Sequence, residues 1–186
     1  MFGSLQAAIV DNSARRFWAM SNGYAMPARA AGIRELGEHI TSHALSERVR
    51  AALRVGVHWS TQVGATPDQQ VSQVFCSAVP VSYSGLHAAD WAVFGKIVMR
   101  GAYDACLCVA GILAQQRRAR VSLYLTCLGG GAFGNPMSWI AEALHASLTA
   151  HADLPVDVYL VHFRSTSPEE CAAVEAEFGR RQAARK

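Results

Sequence analysis

Charged residues and paired cysteine motifs are scarce in this sequence. Only 17% of its 186 residues are Asp, Glu, Lys or Arg, whereas 51% are hydrophobic, and the net charge is +3. The five cysteines are odd in number, four lie in apolar stretches, and no CxxC pair occurs. This pattern argues against a disulfide framework or a cysteine-based metal site and favours reduced, buried thiols in a cytoplasmic protein. We predict neither a metal nor a cofactor.

The sequence also lacks a signal peptide and a membrane-spanning run. Its first residues have neither a basic start nor a long apolar core, and no uninterrupted apolar run reaches about 20 residues. Basic residues cluster at 117–120 and 180–186 without interleaved aromatics, which is typical of solvated ends. We expect a cytoplasmic protein, or an effector secreted without a recognisable signal. Neither a membrane nor a specific nucleic acid is expected as partner.

One common template for phosphate binding is missing. There is no GxxxxGK[ST] motif, which argues against a Walker-type nucleotidase. Aspartates are also few between the first and last predicted strands, and no two form a convincing carboxylate pair: Asp68, Asp90, Asp104, Asp153 and Asp157. A hydrolase that needs general acid–base groups has little to draw on here.

The most distinctive stretch that is present is VSLYLTCLGGGAFGNPMSW at residues 121–139. Its first half alternates as a strand does, the run breaks at three glycines, and a helical pattern follows Asn135-Pro136. Glycines let the backbone approach a ligand closely, and a helix N-terminus adds unpaired N–H groups and partial positive charge. The pattern predicts a loop that binds a diphosphate; a plain strand-to-helix turn is the alternative.

Hydrophobic periodicity predicts nine elements in the order α, α, β, β, α, β, α, β, α. The predicted helices are 28–42, 46–53, 87–116, 136–150 and 168–182, and the predicted strands are 54–63, 71–81, 121–128 and 156–163. The alternation of strands and helices, and the apolar end of strand 71–81, indicate an α/β sandwich with a largely parallel sheet. We expect a poorly patterned segment at 1–17, one α/β domain at 18–178 and a basic tail at 179–186.

Cys76 and His58 suggest a competing hypothesis, a thiol hydrolase. Both lie near the ends of adjacent predicted strands. Cys76 sits in an apolar strand, however, where a buried and inert thiol is the usual outcome. His58 is expected at a pocket rim or packed in the protein.

Four segments carry a resemblance to a known family: WAMSNGYAMP at 18–27, RVGVHWSTQV at 54–63, VSQVFCSAVPVSYS at 71–84 and VSLYLTCLGGGAFGNPMSWI at 121–140. They resemble macrodomain-like proteins related to poly(ADP-ribose) glycohydrolases and to bacterial effectors that act on ADP-ribosylated proteins. The resemblance runs from about Trp18 to Phe163. It implies a macrodomain-like three-layer sandwich that binds ADP-ribose or an ADP-ribosylated protein.

The resemblance also implies roles for individual residues. Backbone N–H groups of Gly130, Gly131, Ala132 and Gly134 would hold the diphosphate. Phe133 would face the distal ribose, and Asn135 would fix the loop or meet a hydroxyl. The implied ligand-binding set is Gly129, Gly130, Gly131, Ala132, Phe133, Gly134, Asn135, Ser77 and Tyr83.

The sequence departs from the family at its N-terminal side. Family members carry an Ala-Ser-x-Phe-Asn-like motif and an acidic loop containing Gly-Pro, and neither appears here. The catalytic residue is therefore unknown, and the fold is expected to be N-terminally incomplete. A binding-only homologue, a fragment, and an active ADP-ribosyl hydrolase that uses other residues remain open. A non-catalytic structural or interaction module of the same fold is the alternative function.

Overall fold

A computed structural model describes residues 11–12, 14–64, 69–162 and 168–183. The described part of the chain contains six strands and six helices. In order they are β1 (Trp18–Ser21), β2 (Tyr24–Pro27), α1 (Gly32–Ser42), α2 (Ser46–Ala52), β3 (Gly56–Gln62), β4 (Gln70–Phe75), α3 (Val81–Ser84), α4 (Ala88–Arg117), β5 (Val121–Thr126), α5 (Met137–Ala150), β6 (Val156–Val161) and α6 (Pro168–Ala183).

The nine predicted elements all occur, and three more are present. Predicted helix and strand bounds are met within a few residues, except that strand β4 ends six residues before the predicted end at Val81. Strands β1 and β2 and the short helix α3 were not predicted. Of the poorly patterned segment expected at 1–17, residues 1–10 lie outside the described part of the chain.

Strands β1 and β2 form a hairpin around a turn at Asn22-Gly23. Asn22 has φ 48° and Gly23 has φ 84°. Two consecutive positive φ angles suit a two-residue hairpin turn, in which Asn-Gly is the favoured pair. The hairpin is packed down rather than free, because Trp18 and Ala25 are buried. The Trp18 ring stacks on Phe94 of α4 with ring centroids 5.9 Å apart.

Helix α4 is the central element of the fold. It is 30 residues long, and its buried side chains include Trp91, Phe94, Val98 and Met99. Helix α1 packs against α4 through an apolar stripe formed by Ile33, Leu36 and Ile40. By length and composition α4 alone among the described helices could span a membrane, but two thirds of its most apolar window is buried inside the protein.

The α/β class is confirmed, but the described strands do not form a largely parallel sheet. They form three two-stranded sheets, of which only β5–β6 is parallel. Helix α5 connects β5 to β6, and such a crossover allows parallel pairing. Strands β3 and β4 follow each other with no helix between them, so they pair as an antiparallel hairpin.

The helices cover one face of the parallel pair and leave the other open. Leu125, Val158 and Leu160 face α5 and α6, while Val121 packs on α4. The alternating residues Tyr124 and Tyr159 lie on the opposite face and are 66% and 50% exposed. The expectation that β4 is covered on both faces is likewise wrong: Val74 packs on the core, whereas its neighbour Phe75 is 51% exposed.

Candidate functional site

The glycine-rich loop lies where the ends of β4 and β5 meet. Ala78 follows β4 and is so close to Gly129, which follows β5, that a Cβ on that glycine would overlap the alanine methyl. The Asn135 side-chain Nδ2 donates to the carbonyl oxygens of Val79 at 2.9 Å and Gly129 at 3.2 Å. Asn135 therefore ties the loop to the segment after β4. The prediction for Asn135 was that it fixes the loop or meets a ligand hydroxyl.

The start of the loop is braced by Tyr103 of α4. The Tyr103 hydroxyl donates to the Thr126 carbonyl at 2.9 Å and accepts the Leu128 N–H at 3.1 Å. Burial is the main reason that the pKa of Tyr103 is raised above its ordinary value. The phenol therefore stays protonated and keeps its donor role at neutral pH.

Several loop amides are used inside the loop itself. Gly130 N–H donates to Cys127 O at 3.1 Å, Gly134 N–H to Gly131 O at 2.9 Å, and Asn135 N–H to Gly129 O at 2.9 Å. The predicted phosphate-binding set included Gly130 and Gly134, whose amides are engaged in these bonds. These bonds hold the loop in one conformation.

The middle of the loop presents amides that have no acceptor among the described residues. The N–H groups of Gly131, Ala132 and Phe133 make no such bond, and Gly131 and Ala132 are exposed. Helix α5 begins five residues after Ala132, at Met137. Consecutive free amides shortly before a helix N-terminus are donors that an anion can use.

The glycines differ in what a side chain would meet. Gly134 has φ 67°, and a Cβ there would overlap the Ser82 hydroxyl. Gly129 has φ 80° and is closed in by Ala78 and Asn135. A Cβ on Gly131 meets nothing within 4 Å and needs no unusual φ. Gly134 and Gly129 therefore serve the shape of the loop, whereas Gly131 borders open space.

Three aromatic rings form a cluster beside the loop. Phe133 meets Tyr24 at 5.6 Å and Tyr83 at 5.5 Å between ring centroids, and the two tyrosines are 5.8 Å apart. All three contacts are edge-to-face, a favoured aromatic geometry. Tyr83 was predicted near the loop and lies there. Its neighbour Ser82 donates its backbone N–H to Phe133 O at 2.9 Å.

Ser77 lies at the end of β4, next to the loop-contacting Ala78. Its hydroxyl donates to the Ala78 carbonyl at 3.0 Å and is half-buried. Ser77 is therefore beside a residue that contacts the loop. The donor that Ser77 would offer a ligand is engaged with the backbone.

One buried acceptor at the site has no partner. Asn135 is 3% exposed, and its Oδ1 makes no hydrogen bond among the described residues. Its amide orientation follows from the two carbonyls that face Nδ2. A buried acceptor left open usually marks a place for water or a ligand donor.

Three carboxylates in the second half of the chain are held in ion pairs. Asp104 pairs with Arg50 at 2.5 Å and Arg100 at 2.9 Å, Glu142 with Lys96 at 2.7 Å, and Asp157 with Arg120 at 2.7 Å. Burial opposes ionisation of Asp104, but hydrogen bonds from Ser147 and Arg100 and the two arginine charges outweigh it. The pKa of Asp104 is therefore below its ordinary value. Among the described residues no three His, Cys, Asp or Glu groups gather as a metal site.

Cys76 and His58 are not brought together. The Val57↔Val74 register places Cys76 on the core-facing side of the β3–β4 hairpin, where a hydrogen bond with Cys106 lowers its pKa. His58 is on the other face, with its ring 4.8 Å from that of Phe75. Cys76 and His58 therefore do not form the pair that a thiol hydrolase would need.

Sequence reasoning missed three residues of the site: Tyr24, Ser82 and Tyr103. Their contacts to the loop span long sequence separations, which periodicity does not encode. The turn signal at Asn22-Gly23, with its flanking aromatic, was the available indication for Tyr24.

A scan of protein-family models, a search of curated proteins and a search of solved structures each return no match to the chain.

Proposed function

We propose that this chain binds ADP-ribose, free or attached to a protein, through the loop at residues 129–135. The proposal includes a macrodomain-like arrangement of the α/β elements, as the sequence resemblance implies. The observation that carries it is the row of free amides at Gly131, Ala132 and Phe133. The amides of Gly130 and Gly134 take a structural role in this proposal.

The free amides favour a diphosphate over a neutral ligand. They are three consecutive donors on an exposed loop, and the adjacent α5 N-terminus adds partial positive charge. A phosphate oxygen accepts such charge-assisted hydrogen bonds well. None of the ion pairs between described residues involves a residue of the loop, so no described salt bridge has to break for an anion to bind.

The aromatic cluster favours a ligand that carries a ring beside the diphosphate. Phe133 is held by Tyr24 and Tyr83, so its ring is positioned beside the amides at little entropic cost on binding. In this proposal Phe133 faces the distal ribose. The two tyrosines are 38% and 48% exposed and extend the aromatic surface on the same side of the loop.

Hydrolysis of an ADP-ribosyl linkage is a second step that binding permits. Water would attack the anomeric carbon of the distal ribose, with the loop orienting that sugar. Such a reaction needs a base for the water. The carboxylates of Asp104, Glu142 and Asp157 are occupied in ion pairs, so the proposal for this chain is binding.

Isothermal titration calorimetry of the full chain with ADP-ribose tests the proposal. We expect saturable heat with ADP-ribose, weaker heat with ADP, which keeps the diphosphate, and none with adenosine. No heat and no thermal shift with millimolar ADP-ribose would refute binding. The structural or interaction module would then be the better account of the chain.

Gly131→Glu locates the site. The new side chain enters open space, so folding should be unaffected, while its charge and bulk meet the diphosphate. We expect at least about tenfold weaker binding, or ~1.4 kcal/mol. Ala152→Glu adds the same charge in the exposed turn after α5 and should keep wild-type affinity. Unchanged affinity in Gly131→Glu would show that the ligand binds elsewhere.

A further inference from the structure

A groove separates the two strands that end at the glycine-rich loop. Strand β4 pairs only with β3, and β5 only with β6, among the described strands. Both strands run toward the loop, because Ala78 and Gly129 meet just past their ends. The groove between them has a volume of about 660 Å³. Each side of the groove is therefore a strand edge whose N–H and C=O groups lack a sheet partner.

The floor of the groove is apolar. It is formed by one face of α4, where Val109, Ala110 and Leu113 line it. Side chains that stand perpendicular to an extended backbone in the groove would pack on this floor. An inserted strand would hydrogen-bond at both edges and bury its alternate side chains on α4. It would join the β3–β4 and β5–β6 sheets into a single five-stranded sheet.

We propose that this groove accepts an extended peptide strand supplied by another polypeptide. The peptide is apolar at alternate residues and acidic at the end that lies beside Arg117. This mode of recognition is strand addition, in which main-chain hydrogen bonds give affinity and alternate side chains give specificity. The inference does not rest on ADP-ribose binding.

The charges that line the groove indicate which end of the bound peptide is acidic. The charged residues that line the groove are Arg117 and Arg120, and no acid lines it. Arg120 is paired with Asp157 at 2.7 Å, whereas Arg117 makes no ion pair with a described residue. Arg117 therefore offers a cation to a carboxylate of the incoming strand.

Two other occupants fit less well. Each of the six described strands already uses one edge for its own partner, so none in a second copy can pair with β4 and β5 at once. Residues 1–10 contain no acidic side chain for Arg117. A free strand from a different chain meets both requirements.

Fluorescent peptides added to the full chain test the proposal. The probe is a peptide of about eight residues, the length of an ordinary strand, that alternates valine and threonine and carries two glutamates at one end. A second peptide shifts the alternation by one residue, because a one-residue slip exchanges the two faces. A matched control has alternate backbone amides N-methylated, which removes donors from one edge and keeps the side chains.

We expect saturable binding of at least one register and loss of binding for its N-methylated form. Amides of β4 and β5 should become protected from hydrogen exchange when the peptide is present. Equal binding of the N-methylated peptide would overturn the proposal, because apolar contact alone would then suffice. Binding of neither register up to about 1 mM peptide, near −4 kcal/mol, would also overturn it.

Charge exchange at Arg117 gives a second readout. Arg117→Glu should weaken the glutamate-ended peptide about tenfold and strengthen a lysine-ended one, while Arg118→Glu, just outside the groove, changes neither. Arg117→Gln should be intermediate. No exchange of preference would refute the assigned acidic end.

Hydrogen exchange of the protein alone identifies the competing occupants. Protection of the β4 and β5 edges that is independent of concentration would mean that the chain fills its own groove. Protection that grows with concentration would mean that a second copy does. Either result would overturn the proposal, and neither would bear on ADP-ribose binding.

Discussion

Two glycines of the loop, Gly134 and Gly131, have different surroundings and should respond differently to substitution. Gly134→Ala places a methyl group on the Ser82 hydroxyl at a positive φ, and we expect a loss of about 1–3 kcal/mol in the free energy of unfolding. Gly131→Ala adds a methyl group to open space and should stay within about 0.5 kcal/mol of wild type. Urea denaturation measures both, and equal losses would contradict the assigned roles.

Asp104 should make the free energy of unfolding depend on pH in the acidic range. Its pKa is lower in the folded chain than its ordinary value, because hydrogen bonds and arginine charges outweigh its burial. The folded state therefore gains stability above the unfolded pKa of about 3.9 and loses it as pH falls through the lower folded pKa.

Asp104→Asn isolates this effect. It leaves Arg100 without a described counter-charge and Arg50 with Glu47 alone, so we expect about 1–3 kcal/mol of destabilisation at pH 7 from the lost hydrogen bonds to charged groups. The difference from wild type should shrink as pH falls from 5 toward 2, as followed by thermal denaturation. Asp157→Asn, at an exposed pair, is the control and should cost less than about 1 kcal/mol. A difference that stays constant with pH would rule out the role of Asp104.

At the scale of elements, the Trp18–Phe94 contact connects the β1–β2 hairpin to helix α4. Phe94 is buried at the stacked pair, so Phe94→Ala should cost about 3–5 kcal/mol, whereas Phe94→Leu should cost clearly less. The hairpin also carries Tyr24, which supports Phe133. We therefore expect Phe94→Leu, which folds, to weaken ADP-ribose binding through the hairpin, whereas Ile112→Leu on the exposed side of α4 should not. Calorimetry on the two leucine variants checks this expectation.

The elements themselves were largely predictable, and their partners were not. Helices α1 and α4 and strands β5 and β6 follow from local periodicity, because apolar spacing of three to four or of two residues is written within each segment. The antiparallel pairing of β3 with β4 depends on the short link between them. The predicted parallel sheet rested on the overall alternation of strands and helices, which does not hold for these two consecutive strands. At the site, local composition singled out the glycines, whereas Phe133 and Tyr83 were expected there only from the family resemblance. Which amides stay free depends on hydrogen bonds that close only in the folded loop.

At the scale of the whole molecule, the helices lie on one side of the parallel pair and leave an aromatic face on the other. Tyr124 and Tyr159 are opposite in register, and their stacked rings are 5.2 Å apart. Val161, also on this face, is 43% exposed. Contiguous apolar surface of this kind promotes association in water. We expect the isolated chain to self-associate reversibly as its concentration rises.

The paired substitution Tyr124→Lys with Tyr159→Glu should reduce this association. Opposite charges directly across two strands support their pairing, so β5–β6 should remain intact while the apolar face is interrupted. Sedimentation velocity over a hundredfold concentration range should show a weaker shift toward larger species in the double variant, with unfolding midpoints close to wild type. Ile112→Lys removes an exposed apolar side chain from α4 instead and should leave association unchanged. Equal association of all three proteins would mean that the open face of the sheet is not the contact surface, and would direct attention to the strand edges in the groove.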